Sequence, residues 1–330
     1  LIRFPKSRWF SAFLFLTLAV ILLYYAFGNV DIKHLSEGFK NVNYFWIAVS
    51  LAIALLAHAL RALRWGYLIE SLGSKPKFTN LFSAVMFGYL ANLALPRFGE
   101  IAKCGSIRKV DNVRFDQLVG TVVVERAADL LMLLLFTIAI VLINLDKFGS
   151  YIYNRIVLPL HQKALHMEGY KLVITVTIAL VFIFGMWLLL RTNFFGERLN
   201  GKIRNGVKGV LEGLKAIYHT PHMFGFILTS ILIWLCYWLM TWTLFYSTPI
   251  TADLHIWDAL FIMVIGSYGM TVPVQGGFGA YHIIAASALG IYGITYEDGL
   301  IFAVISHESQ TLLLIVIGLI SMLYLFIKRK

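Results

Sequence analysis

The chain has 330 residues, 59% of them hydrophobic and 14% charged, with a mean hydropathy of +0.79. No soluble globular domain has this balance, so the reading is an all-α polytopic membrane protein with a single membrane domain over residues 1–330. The formal net charge of +11 matches that of nucleic-acid binders, but its distribution points to membrane flanks and to no nucleic-acid partner.

Apolar runs of spanning length lie near 9–28, 44–69, 117–144, 171–190, 222–246 and 300–327. Two shorter runs, 80–95 and 256–272, end at Pro96 and Pro273 and read as half-spans. Arg3, Lys6 and Arg8 resemble the basic region of a signal peptide, with Ala26-Phe27-Gly28 as a weak cleavage site. A first run of about 19 residues fits an uncleaved anchor better. At the end of the second run His58, Arg61 and Trp65 share a stripe, with Arg64 beside it. Two readings stand: an interfacial belt of snorkelling arginines, or Arg61 as a guide for an anionic headgroup.

The half-span 80–95 runs into Leu95-Pro96-Arg97-Phe98-Gly99-Glu100. Pro96 lacks an N–H and disfavours helical geometry at Leu95, and Gly99 permits a tight backbone. A re-entrant hairpin entering and leaving on one side keeps Arg97, Lys103, Arg108 and Lys109 together on that side. A turn at membrane depth requires protein or water to satisfy the freed backbone groups.

The next span carries Glu125, Arg126 and Asp129. Glu125 is about 12 Å into a hydrocarbon layer about 30 Å thick, where an ionised side chain costs on the order of 2.5 to 3.5 kcal/mol. Glu125 and Asp129, at i and i+4, share a helix face, while Arg126 points about 100° away. One arginine cannot neutralise both acids, so partners come from other helices. The alternative to a wet cavity is a set of buried ion pairs that fix helix register.

Residues 145–170 form a polar outer loop, and 191–221 an inner one. Within the inner loop Ile203, Val207, Val210, Leu214 and Ile217 give the segment 197–219 an apolar stripe, read as an interfacial helix or, because of Gly206, Gly209 and Gly213, a flexible linker. Cys104 and Cys236 have no metal-ligand spacing and read as packing residues. Across the six spans most Lys and Arg fall on the amino-terminal side, from Arg3 through Arg64, Lys109 and Arg204 to Lys328; Lys33, Lys40, Lys147, Arg155, Lys163 and Lys171 lie opposite. The asymmetry predicts an inner (plasma) membrane protein with both termini cytoplasmic.

The second half repeats the first. Ala259 through Tyr268, followed by Val272-Pro273-Val274-Gln275-Gly276-Gly277-Phe278-Gly279, parallels Asn80 through Tyr89 and the break at Pro96. Each break is followed by a charged span, carrying Glu125-Arg126 or His307-Glu308. Three crossings between the breaks invert the second copy. The expected organisation is repeat halves at approximately 44–144 and 222–327, joined by a span at 171–190 and the segment 197–219, with binding at the repeat interface.

Helices beginning at Gly99 and Gly279 would point N–H groups into such a cavity, which suits a phosphate; close helix packing is the competing reason for the glycines. His307-Glu308-Ser309-Gln310-Thr311 begins like a zinc-protease motif but has Thr311 where the second histidine belongs. No P-loop and no G-x-S-x-G elbow is present. No enzyme, metal or cofactor is expected.

Leu60 through Trp65, Leu95 through Glu100, Val124 through Asp129 and Gln275 through Gly279 resemble the motifs of the lysylphosphatidylglycerol synthase transmembrane, or flippase-like, family. That family includes the membrane domain of the multiple peptide resistance factor. The resemblance implies movement of an anionic or aminoacylated phospholipid between leaflets, without the cytosolic synthase domain. It implies a substrate site among Arg61, Arg97, Gly99, Glu100, Glu125, Arg126, Asp129, Gly276, Gly277, Gly279, His282, His307 and Glu308. Gln275, His282 and His307 depart from the family's usual Pro, Glu and Arg. Alternatives are a transporter of polyprenyl-phosphate-linked intermediates, or a membrane subunit presenting lipid to a separate transferase; a homo-oligomer is left open.

Overall fold

The computed structural model describes residues 6–28, 30–95, 98–143, 222–272 and 274–328. The span expected at 171–190, the loop 145–170, the segment 197–219, and Pro96, Arg97 and Pro273 lie outside the described residues. The described chain is helical without a strand: α1 (Lys6–Phe27), α2 (Ile32–Lys40), α3 (Tyr44–Glu70), α4 (Phe78–Ala94), α5 (Gly99–Asp111), α6 (Phe115–Ile143), α7 (Met223–Phe245), α8 (Ile256–Thr271), α9 (Ala280–Leu289) and α10 (Tyr296–Ile327). Residues 1–137 and 216–330 make one compact unit. The other, 138–215, contributes only the end of α6 to the described residues.

Helices α3, α6, α7 and α10 are long and apolar enough to cross a membrane. They match four of the expected spans to within a few residues. Helix α1 covers the first expected span, although its apolar described stretch, Leu16–Phe27, is shorter. Local chemistry sets the ends. The Asn43 Oδ1 accepts from the Phe45 N–H at 3.1 Å, and the Thr295 hydroxyl accepts from the Asp298 N–H at 3.2 Å. Leu95, before Pro96, is extended at φ −139°, ψ 121°, and there α4 stops. Helix α2, an amphipathic piece between the first two spans, had no counterpart in the sequence reading.

Helices α4 and α5 fold back on each other as a hairpin, and so do α8 and α9. In the first, Asn80 Nδ2 donates to Asp111 Oδ1 at 3.0 Å, so the chain leaves the hairpin beside the point where it came in. Tyr324, near the end of α10, donates to Asn80 Oδ1 at 3.0 Å and fixes this mouth at the carboxyl end of α10. In the second, the Phe261 and Tyr292 rings stand 6.0 Å apart, and Tyr292 leads directly to the start of α10. The two mouths therefore lie at opposite ends of α10. The tips touch, since a Cβ on Gly276 would stand 2.7 Å from Leu93 Cδ2.

Candidate functional site

Close backbone approach builds the first hairpin. A Cβ on Gly88 would meet the Gly99 carbonyl oxygen at 2.9 Å, and one on Gly99 would collide with the Gly88 carbonyl and the Asn92 amide. Glycine at both positions lets α5 start against α4, with Gly99 N–H donating to Asn92 Oδ1 at 2.7 Å. That bond corrects one expectation: this N–H is capped by Asn92 and is not left open for a ligand. Packing accounts for Gly99.

Against this hairpin lie α3 and α6, and the four helices line a partly open cleft walled by Arg61, Gly88, Tyr89, Asn92, Gly99, Glu100, Lys103, Glu125, Arg126 and Asp129, with Val85 and Val122 as apolar walls. Five polar residues singled out from sequence, Arg61, Glu100, Glu125, Arg126 and Asp129, thus come together here.

The partners of the acids come from other helices, as the helical geometry required. Asp129 is paired with Arg64 at 2.8 Å and with Arg61 at 3.1 Å, both from α3. Glu125 is paired with Lys103 of α5 at 2.5 Å, and Arg64 stands 3.9 Å from its other oxygen. Secondary contacts hold these cations in place. Arg61 Nε donates to the Tyr237 hydroxyl at 2.6 Å, Arg64 donates to Ser230 Oγ at 3.2 Å, and the Lys103 ammonium stands 4.1 Å from the Trp65 ring centroid. Trp65 Nε1 donates to Thr121 Oγ1 at 2.8 Å.

Arg64 and Trp65 are wholly buried, which overturns the interfacial-belt reading of that stretch. Snorkelling fails because Asp129 and Glu125 offer the Arg64 guanidinium partners inside the protein. Arg64 and Lys103 were missed as site residues; the signal for them was the unpaid charge on Glu125 and Asp129.

Arg126 differs from the other cations. Its guanidinium is paired with Glu100 at 2.6 Å, yet the two side chains are 58% and 38% exposed. Arg126 sits eleven residues into an apolar helix, about 16 Å from its start. Exposure of a charge at that depth requires water or a polar ligand.

The second group gathers at the other hairpin tip. Gly276, Gly277 and Gly279 have φ of 54°, 81° and 77°, a left-handed conformation that glycine adopts without a Cβ penalty. The turn presents the Gly276 carbonyl to His307, whose Nε2–H donates to it at 2.7 Å. Glu308 Oε1 stands 3.1 Å from His307 Nδ1 and 3.3 Å from His282 Nε2. His282 and His307 are buried; the Glu308 side chain is 43% exposed. His307 is eleven residues past the start of α10 at Tyr296. Arg97 lies outside the described residues.

Known proteins supply the remaining comparison. The family described as lysylphosphatidylglycerol synthase TM region matches residues 12–318. A UPF0104 membrane protein of Methanocaldococcus jannaschii is 24% identical over 143 residues, covering 42% of this chain and 41% of that relative. The matched stretch therefore spans about two fifths of the relative's length. No solved structure matches the chain. Since the family match runs through both hairpins and the spans on either side of them, the chain belongs to the lysylphosphatidylglycerol synthase TM region family, as a multi-pass membrane protein.

Proposed function

We propose that this protein moves a lipid with an anionic or aminoacylated phosphate headgroup between leaflets, admitting the headgroup to the cleft between α3, α4, α5 and α6 without covalent chemistry. The observation that carries this reading is the exposed Arg126–Glu100 pair beside a saturated core of charges. Arg61, Arg64 and Lys103 already neutralise Glu125 and Asp129, so those acids need nothing from Arg126. A phosphate can take Arg126 from Glu100 without stranding a buried charge, and charge-assisted bonds to arginine are the strong ones. The released Glu100 then faces whatever ammonium an aminoacylated headgroup brings.

The opposed hairpins with touching tips support movement rather than static binding. In membrane transporters, broken helices of inverted repeats flank the site, and rocking of one repeat against the other exposes it to each side in turn. On this reading both hairpins are re-entrant. Lys75, Lys77, Arg108, Lys109 and Lys328, near the mouth of the first, face the cytoplasm of a plasma-membrane protein.

Purified protein in liposomes carrying fluorescent phosphatidylglycerol, lysyl-phosphatidylglycerol, a polyprenyl phosphate or phosphatidylcholine tests the proposal, with bleaching of the outer leaflet as readout. The expected result is faster bleaching of a phosphatidylglycerol-type lipid than of phosphatidylcholine. Transport of the polyprenyl phosphate alone would change the substrate, and no transport at all would favour a subunit that presents lipid to a separate transferase.

A further inference from the structure

The cluster at the second hairpin tip has an unbalanced set of donors and acceptors. A carbonyl oxygen only accepts, so the 2.7 Å bond to Gly276 places a proton on His307 Nε2. In a neutral imidazole Nδ1 then carries a lone pair; the Thr311 hydroxyl reaches it only at 3.5 Å, while a carboxylate oxygen, Glu308 Oε1, stands closer at 3.1 Å. Two acceptors at this separation repel unless a cation lies between them. His282, 1% exposed, aims Nε2 at the same oxygen from 3.3 Å and has no hydrogen-bond partner at Nδ1.

We propose that His282, His307 and Glu308 form a binding site for a divalent transition-metal ion of the zinc class, tying α9 to α10 at the tip of the second hairpin. One ligand atom from each residue lies within 4.8 Å of the others. Around tetrahedral zinc, bond lengths of about 2.0 to 2.2 Å put neighbouring ligand atoms roughly 3.3 Å apart. The two carboxylate-to-imidazole distances already have that length. Two imidazoles and a carboxylate select zinc-like ions over calcium or magnesium, and three protein ligands leave a fourth position open. The Gly276 carbonyl fills the supporting role usual around metal-binding histidine: it takes the distal N–H and fixes the ring. The rings of Phe278 and Tyr281, 4.8 and 5.4 Å from His307, wall the site, and the half-exposed Glu308 leaves a way in.

The competing occupant is a proton, which would make His307 an imidazolium bonded to Glu308. Cobalt titration separates the two. Full-length protein in detergent, free of any polyhistidine tag and stripped with chelator, is titrated with cobalt(II) chloride. The proposal expects one cobalt per chain, with the intense visible absorption of a four- or five-coordinate ion, bleached by one equivalent of zinc. Glu308→Gln and His307→Gln should each weaken cobalt binding by at least about 100-fold. Zinc should raise the thermal midpoint of the wild type and leave that of Glu308→Gln unchanged. Glu308 is half-exposed, so this variant carries the test if the histidine variants misfold. A wild type without the absorption band or the zinc shift overturns the proposal, as does a Glu308→Gln protein that binds cobalt like the wild type.

Discussion

Arg64 and Asp129 meet at 2.8 Å, with the arginine side chain wholly buried and the aspartate 13% exposed. The guanidinium sits among α3, α6 and α7, against Ser230 and the Phe226 ring, where water cannot replace its partner. Removing Asp129 leaves the buried Arg64 with only Glu125 at 3.9 Å, and removing Arg64 leaves Asp129 with Arg61 alone. Asp129→Asn and Arg64→Met should each destabilise by about 3 to 5 kcal/mol, measured as a fall in the denaturant midpoint in mild detergent. Combining them should cost less than the sum of the two, because both single losses include the same Arg64–Asp129 contact. Strictly additive losses would mean that the two residues are not coupled.

Arg126 should behave in the opposite way. Its pair with Glu100 is more than a third exposed on both sides, so the net stability it provides is at most about 1 kcal/mol. Arg126→Ala should fold and insert normally, yet lower lipid translocation at least tenfold on the reading proposed above. Arg126→Lys should rescue only partly, since a point charge lacks the planar fork that grips phosphate. A well-folded Arg126→Ala protein that translocates at the wild-type rate would remove Arg126 from the site.

Orientation of the hairpins gives a third test. Lys109 is exposed near the mouth of the first hairpin, and Glu297 sits at the opposite end of α10. With the native cysteines replaced, Lys109→Cys should react with an impermeant maleimide only from the cytoplasmic face. Glu297→Cys should react only from outside. Labelling of both from one face would show that α4 and α5 do not return to the side they left.

Much of this arrangement was legible in the sequence because lipid makes long apolar runs and isolated charges informative. The breaks at Leu95 and Gly276, and the need of Glu125 and Asp129 for partners elsewhere, followed from proline, glycine and helical periodicity. Arg64 was not legible as a site residue: an arginine near a helix end reads as snorkelling until its acidic partner on another helix is located. His282, His307 and Glu308 were placed in a substrate site by the resemblance, but not as metal ligands, for a related reason. Metal-ligand spacing within α10 fails at Thr311, whereas the second imidazole of the proposed site comes from α9, across the connection at 290–295. The short helix α2 is too brief for periodicity to separate it from a loop. Its identity comes from the Asp31 cap and from packing on α10, where Gly38 lies against Ile301.

That packing leads to a pH dependence outside the spans. His34 Nε2 stands 2.8 Å from Asp298 Oδ1, and this hydrogen bond, aided by the nearby charges of Asp298, Glu297 and Asp31, raises the His34 pKa above its ordinary 6.5. A raised folded-state pKa means that the attachment contributes fully below about pH 6.5, where the histidine is charged folded or unfolded. The contribution fades as pH rises through the folded-state value, because the bound proton is then lost. Helix α2 should accordingly hold to α10 more tightly at pH 5.5 than at pH 8.5. Amide exchange of residues 32–40, corrected for the intrinsic pH dependence of exchange, should show protection falling over that interval in the wild type. His34→Gln keeps a neutral hydrogen bond and should flatten the profile. Since the pair is only part-buried and joins α2 to the very start of α10, the change should be confined to α2 and leave the midpoint of global unfolding in place. Parallel profiles for the two proteins would show that this contact does not govern the docking of α2.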